Sequence, residues 1–422
     1  MFYVIRICAA IAVLLVCWSS TPGAVTAGPV VLEWNQIAAT RALNATPVLA
    51  PVEQTRLMAI VQVSVHDAVS GITGQYETYS SPGPAPANAS PVAAAIAAAH
   101  HALRALFPGQ ASEAALDASY ATSLSTHGVS TMDPGLGFGR SVAAGILALR
   151  ANDHASDAAF DYTVPGAGSP GVWTRLGGAA ALLPGWGAVT PFVLRSGSQF
   201  RPDSPPALDS EQYARDYNEI LEIGSFTSTL RSTEQTGIAN FWRASPTAIW
   251  NGVLTQALAA RSLDLASTAR VFALMYLAAA DSSIACWEAK YHYNFWRPFP
   301  AIVNGDLDGN TATHGDGAWR PLLATPPHPE YPSGHTSNSS AMVTVLQQLL
   351  GEDPGVQLQL TFFGVTRQWQ TFEEPMNEVI EARIYSGIHF RTADDVGARL
   401  GRQVAHFVMT HALREPKGSW KN

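Results

Sequence analysis

Apolar positions recur at three- and four-residue spacing over most of this chain, and the stretches that break the rhythm are few and long. The spacing predicts helices over 31–45, 52–69, 92–107, 111–126 and 137–151. Pro47 and Pro51 separate the first two, a Ser-, Pro- and Ala-rich connector fills 71–91, and Pro108-Gly109 ends the third helix. From 152 to 209 the period dissolves into recurring Gly, Pro and Trp. An irregular segment of that length in a compact domain is often functional, and it is read as wrapping over a cleft. Helices resume over 210–223, 232–242 and 248–260, followed by one long apolar helix, or two abutting ones, over 263–291. A second long loop covers 298–329, and 336–350 is a helix stopped by Gly351. The stretch 353–363 is read as a helix with Asp353 as its cap and Pro354 in its first position, and 375–385 and 392–412 complete the series. Strands are expected to be few or absent. The expectation is an all-α protein of two packed helical bundles, with an N-terminal helical region over 28–235 and a second over 236–415.

With 422 residues and 47% hydrophobic content, the chain can bury a sizeable core. Charged residues make up 14%, the net charge is -8 and no Lys/Arg run occurs, which argues against nucleic acid as a partner. Arg6 precedes an apolar run over 7–17, and Val25-Thr26-Ala27 fits a small-x-small cleavage site. Residues 1–27 are therefore read as a signal peptide, with the mature chain starting near Gly28 and exported to the periplasm or medium. The run is shorter than the roughly 20 residues a membrane span needs, and no stable span is expected in the mature chain. Cys8 and Cys17 leave with that segment. Only Cys286 remains, so no intramolecular disulfide is expected, and its apolar helical setting reads as a small buried side chain.

Candidate chemistry gathers in three places. The first is Tyr331-Pro332-Ser333-Gly334-His335, where a turn opens the helix ending at Gly351. A helix N-terminus offers unpaired N–H groups and partial positive charge to an anion. Ser333 adds a hydroxyl, Gly334 lets the backbone approach closely, and His335 adds a titratable ring. The second runs from Lys290 to Arg297-Pro298, and the third from Arg383 to His389, with Asp394 and Asp395 beyond. Lys290 and Arg383 lie among residues that read as buried, where charges are uncommon unless paired. Each either pairs with a neighbouring carboxylate, such as Glu288 or Glu381, or shares one anion with Arg297. A tetrahedral oxyanion suits the second alternative: Arg meets it with a planar fork and Lys with a point charge. His335, on the helix N-terminus, suits proton transfer, and His389, followed by carboxylates, suits the role of ligand or nucleophile.

These three segments resemble the tripartite signature of the type 2 phosphatidic acid phosphatase and vanadium-dependent haloperoxidase superfamily: Lys, six residues, Arg-Pro; Pro-Ser-Gly-His; and Ser-Arg, five residues, His, three residues, Asp. Two positions depart from it. Ala382 stands where the family has Ser, and Ala393 stands at the Asp position, so Asp394, one residue later, is the carboxylate left to reach His389. The resemblance implies an oxyanion held by Lys290, Arg297, Ser333, Gly334, His335, Arg383 and His389. In a haloperoxidase the anion is vanadate, His389 ligates the vanadium and His335 is the acid/base; hydrogen peroxide, halide and a small organic acceptor are the reaction partners. In a phosphatase, phosphate takes the same site and His389 becomes a phospho-histidine. The long soluble helical pattern, the aromatic Phe295-Trp296 beside Arg297 and the stretch His328-Pro329-Glu330-Tyr331 resemble the haloperoxidase branch. Bromide-oxidising members carry His at the position of His328, so bromide or iodide is favoured over chloride. His328, Trp296 and Asp394 are expected to surround the anion-holding set. A phosphate-binding protein without catalysis is the remaining alternative, set against by the presence of both His335 and His389.

Other features read as structural. Asp306, Asp308 and Asn310 open like a calcium loop but lack its Gly and closing Glu, and are taken as a turn. His66, His100 and His101 are taken as core or interface residues, and His292 as a possible pocket residue.

Overall fold

The computed structural model describes residues 28–416; the expected signal peptide lies outside the described residues. Thirteen helices and one hairpin are present among the described residues. In chain order the first helices are α1 (Pro29–Leu43), α2 (Pro51–Thr73), α3 (Pro91–Leu106), α4 (Gln110–Thr126) and α5 (Pro134–Arg150). They are followed by α6 (Glu211–Ile223), α7 (Thr233–Phe241), α8 (Pro246–Ala259), α9 (Leu265–Tyr293) and α10 (Pro298–Val303). The last are α11 (Gly334–Leu350), the strands β1 (Leu358–Phe362) and β2 (Val365–Trp369), α12 (Glu373–Tyr385) and α13 (Arg391–His411). The chain is all-α in the expected sense of two helical bundles packed together, the hairpin apart. Many starts are written locally. Ser90, Asp133, Ser210, Ser232, Ser245 and Asp264 each accept a first-turn N–H, and Pro91, Pro134 and Pro246 occupy positions where no N–H is needed.

Two expectations fail. Residues 353–363 do not form a helix: Asp353 caps a turn by accepting Gly355 N–H at 2.7 Å, and β1 and β2 follow as an antiparallel pair with Leu358 opposite Trp369. Leu358 and Phe362 fit both a helical i, i+4 spacing and a strand period of two, but Leu360 faces the same way and Gln359 and Thr361 are exposed. Phe363 and Gly364 then turn the chain with φ of 51° and 77°. The loop over 298–329 also contains the short α10, started by Pro298.

The single long helix α9 is the spine. It packs against α2 on one side and against α11 and α13 on the other, and one apolar cluster runs from Val30 to Leu413 around it. Its length and apolar content would suffice for a bilayer crossing, but 94% of its most apolar window is buried in the fold. Asn294, in the left-handed conformation, ends it just past Lys290. Helices α11 and α13 cross closely because α13 carries Gly397 and Gly401. A Cβ on Gly401 would stand 2.1 Å from Ser337 O, and one on Gly397 2.3 Å from Thr336 Oγ1. Gly401→Ala is expected to lower unfolding free energy by about 1–3 kcal/mol despite the better helix propensity of Ala. Urea titration followed by circular dichroism reads this directly, and unchanged stability would show that the crossing can open.

The irregular segment over 152–209 straps across the C-terminal end of α9. Trp173 N–H donates to Asn294 O at 2.7 Å, Trp296 N–H to Gly171 O at 3.0 Å and Leu182 N–H to Pro327 O at 2.8 Å. Asp281 of α9, fully buried, accepts the N–H groups of Phe192, Val193 and Leu194 at 2.6–2.8 Å. The strap holds the turn that delivers Arg297 and the loop that leads to Ser333.

Candidate active site

Lys290 lies in the last turn of α9 with no exposed surface, and its ammonium donates to Pro329 O at 2.9 Å and Glu330 O at 2.8 Å. Burial pushes it down to about 7, with Cys286 and Glu330 opposing and Arg297 adding to the shift. Arg297, held extended by the following Pro298, is fully buried too. It donates from Nε to His328 O at 2.9 Å and from Nη1 to Ile388 O at 2.8 Å and His389 Nε2 at 3.1 Å, while Nη2 lies 2.9 Å from His328 Nδ1. Burial brings its guanidinium down to about 10. Arg383, in the last turn of α12, donates from Nη1 to Trp242 O at 2.8 Å, and its Nε has no partner. Burial lowers it to about 10 as well, against the pull of Asp394. Three mutually repelling cations are thus gathered in a dry interior.

Ser333 caps α11 in position only. Its N–H donates to Ala393 O at 2.9 Å, but its hydroxyl, fully buried, has no aligned partner. Gly334 opens the helix against Trp287: a Cβ there would lie 3.1 Å from the indole and 3.8 Å from Lys290 Cε. His335 follows, half-buried, with Nε2 3.3 Å from Ala244 O. A carbonyl only accepts, so Nε2 carries the proton and Nδ1 keeps a lone pair. Burial, with Arg383 nearby, holds its ring well below the usual range and so neutral. His328 packs its ring 4.9 Å from that of Trp287.

His389 follows Gly387, whose φ of 74° and 2.4 Å clearance to Gly224 O leave no room for a side chain. Its Nδ1 stands 2.9 Å from Glu330 Oε1, which also accepts Phe390 N–H at 3.0 Å. Asp394 does not reach this ring. Its carboxylate is fully buried, makes no aligned hydrogen bond and is opposed in its upward shift by Ser333 and Arg383. Displacing a carboxylate by one residue on a helix turns it by about 100°, enough to carry Asp394 from His389 toward Arg383.

The neighbouring-carboxylate alternative is not what the structure shows. Glu288 is taken by Arg201 and Glu381 by Arg391, while Lys290 and Arg383 make their bonds to carbonyl oxygens. Trp296 is buried beside Tyr213 and Phe390, in the aromatic layer behind the site. His292 is exposed. Asp308 accepts Asn310 N–H and Thr313 Oγ1–H within its own turn, and among the described residues no group of three His, Cys, Asp or Glu is arranged to hold a cation. Cys286 is a buried free thiol. Glu330 is the site residue that the sequence concealed. It lies alone between Pro329 and Tyr331, where an acidic residue reads as part of a turn.

The residues present fit a tetrahedral oxyanion. Arg383 Nε is a buried donor without an aligned acceptor, costing about 1–3 kcal/mol while unmet, Ser333 Oγ has only the Asp394 carboxyl beside it, and the three cations face two buried carboxyl groups, Glu330 and Asp394, both pushed toward the neutral form by burial. Sulfate, a dianion at any pH near neutrality, is a probe of this. Lys290 must be protonated to meet it, so affinity is expected to fall as pH rises through about 7, by up to tenfold per unit. Glu330, raised to about 7 by burial, ionises in the same window and acts in the same direction. Calorimetric titration from pH 6 to 9 reads the slope, which should flatten in Lys290→Met.

Comparison with known proteins agrees with this geometry. Residues 270–418 match the model of the second helical-bundle domain of vanadium chloroperoxidase. A vanadium chloroperoxidase from Curvularia inaequalis is 25% identical over 198 residues, a match covering 39% of this chain and 32% of the relative, so about a third of that protein's length. The crystal structure of a bacterial vanadium-dependent iodoperoxidase superposes with a TM-score of 0.80 at 26% identity, covering 94% of this chain and all of that one. A holo-type bacterial vanadium-dependent chloroperoxidase shares the fold with a TM-score of 0.67 at 17% identity over 90% of this chain and 97% of that one. The match over 270–418 and the likeness to the iodoperoxidase structure over nearly the whole chain support the superfamily of vanadium-dependent haloperoxidases and type 2 phosphatidic acid phosphatases. The relatives found here stand on the haloperoxidase side of it.

Proposed function

We propose that this chain is an exported vanadate-dependent haloperoxidase that uses hydrogen peroxide to oxidise bromide or iodide. The observation that carries the reading is the convergence of Lys290, Arg297 and Arg383 with the Ser333 hydroxyl, the unpartnered Arg383 Nε, and two neutral histidines, buried His389 and half-buried His335, presenting opposite nitrogens. Bound vanadate supplies the Lewis-acid centre at which peroxide is activated toward halide. Lys290, Arg297 and Arg383 neutralise its charge, and Ser333 Oγ and Gly334 N–H donate to its oxygens. His389 offers the Nε2 lone pair as the ligand. His335, neutral with Nδ1 free, is placed to take a proton from incoming peroxide and return it to a leaving oxygen. The strap and the aromatic layer keep bulk water from these charges, which strengthens each interaction. The choice of halide rests on His328 beside Arg297, the position that is His in bromide-oxidising relatives, and on the similarity to an iodoperoxidase. Export rests on the sequence of residues 1–27.

A paired assay on purified protein tests the reading. One arm supplies orthovanadate, bromide or iodide, and peroxide, and follows halogenation of a dye. The other supplies an aryl phosphate without vanadate. Vanadate-dependent halogenation is expected; phosphate release that vanadate inhibits, without halogenation, would move the chain to the phospho-histidine chemistry of the same superfamily.

A further inference from the structure

We infer that Glu330 is the positioning residue for His389, doing from the loop before α11 what the superfamily pattern assigns to a carboxylate in the first turn of α13, and that Asp394 is turned instead toward Arg383 and Ser333. The inference deepens the proposed function and rests on it only for the identity of the bound anion.

The hydrogen bonds at the two ends of the ring agree on one tautomer. Glu330 Oε1 receives Phe390 N–H at 3.0 Å and lies 2.9 Å from His389 Nδ1, where it can accept a ring N–H. At the other end, Nε2 faces Arg297 Nη1 at 3.1 Å, and a guanidinium nitrogen only donates. Nε2 therefore carries the lone pair, and it points into the cation cluster. A carboxylate accepting from Nδ1–H also raises the electron density at Nε2 and stops the ring rotating.

Glu330 is tied to all the other motif segments. Its N–H donates to Phe295 O at 3.0 Å, its carbonyl accepts Lys290 Nζ at 2.8 Å, and its carboxylate holds His389. The residue has no exposed surface, so these bonds account for its place there. Asp394, by contrast, makes no hydrogen bond to His389, and neither of its oxygens has an aligned partner. The loss of the usual carboxylate at position 393, which is Ala, and the presence of an acid at 330 are one exchange: the support for the ring has moved from the helix after it to the loop facing it.

The experiment uses protein labelled with 15N-histidine and free of any oxyanion, so it does not depend on which anion the site takes. Wild-type His389, identified by its loss in His389→Gln, is expected to show a protonated Nδ1 and an unprotonated Nε2. Glu330→Ala should mix the two tautomers, and Glu330→Gln, the milder change, should keep the tautomer but move the Nδ1–H proton upfield. Asp394→Asn should leave both His389 signals in place. Vanadate affinity, measured by calorimetry without peroxide or halide, should fall about 10–100-fold in Glu330→Gln, the usual effect of losing a ligand's hydrogen-bonded partner. Circular dichroism confirms that each variant folds; if Glu330→Ala does not, Glu330→Gln carries the test. An unchanged His389 signal in Glu330→Gln with vanadate affinity within threefold of wild type, or a tautomer shift in Asp394→Asn, would overturn the inference. Absence of vanadate binding in the wild type, with the tautomer result intact, would instead count against the haloperoxidase reading alone.

Discussion

His389→Ala is expected to lower halogenation by about a thousandfold or more, equivalent to about 4 kcal/mol of transition-state stabilisation. The ring aims its Nε2 lone pair into the cluster formed by Lys290, Arg297 and Arg383. Without it an oxyanion is still attracted, since the three cations and the Ser333 hydroxyl remain, but nothing fixes its central atom. Binding of sulfate, which makes no such bond, should therefore change much less than binding of vanadate. That contrast separates loss of a ligand from collapse of the site. The comparison is made by calorimetry with both anions and by steady-state bromination with peroxide; equal losses for both anions would point to a distorted pocket rather than a missing bond. The alanine also leaves the Glu330 carboxylate without its Nδ1–H donor in a dry interior, so some loss of thermal stability is expected alongside.

Arg297→Ala has the second large effect, and it reaches further. The guanidinium joins the carbonyls of His328 and Ile388 and the rings of His328 and His389, so one side chain fastens two loops together as well as facing the anion. Four of its five N–H groups are engaged in these ties, and the one charge-assisted bond left for an oxyanion, at about 1.5–3 kcal/mol, corresponds to a loss of about 10–10² in affinity before the loosening of the loops is added. Arg297→Lys keeps the charge but not the fork, and is expected to recover little of this. The sign of a second consequence distinguishes electrostatics from packing. Arg297 helps to hold the Lys290 ammonium down near 7, so removing it lets Lys290 keep its proton to higher pH. The residual sulfate affinity of Arg297→Ala should then persist to higher pH than in the wild type. A pH profile that merely drops in height without moving would leave only the packing role.

That Lys290, Arg297, Ser333, His335, Arg383 and His389 lie in one cluster was legible because local sequence shapes the segments that carry them. Pro298 fixes the backbone after Arg297, Pro332-Ser333-Gly334 opens a helix, and the five-residue interval between Arg383 and His389 spans a helix end and a Gly387 turn, so each segment is shaped locally and the packing of α9, α11 and α13 brings them together. The helices were legible for a similar reason: Ser and Asp caps and N-terminal prolines mark many of their starts. What escaped reading depended on which face a residue meets. Leu358 and Phe362 satisfy helical and strand periods alike, and only the exposure of Gln359 and Thr361 decides for the hairpin. Asp394 is one position from where the family pattern needs it, and a single helical step was enough to give its place at His389 to Glu330, whose importance lies in three-dimensional contacts with segments 35 and 59 residues away.

The strap over 152–209 is fastened largely through main-chain groups: the carbonyls of Gly171 and Leu182, the N–H groups of Trp173, Phe192, Val193 and Leu194, and the carbonyl of Asp203, which receives the Tyr331 hydroxyl. Main-chain anchorage is indifferent to side-chain identity. Exposed side chains of the strap can therefore be exchanged while its course over the body is kept by main-chain bonds and by acceptors such as Asp281. A library randomising exposed strap positions is expected to yield chains that still fold, which circular dichroism of its members reads.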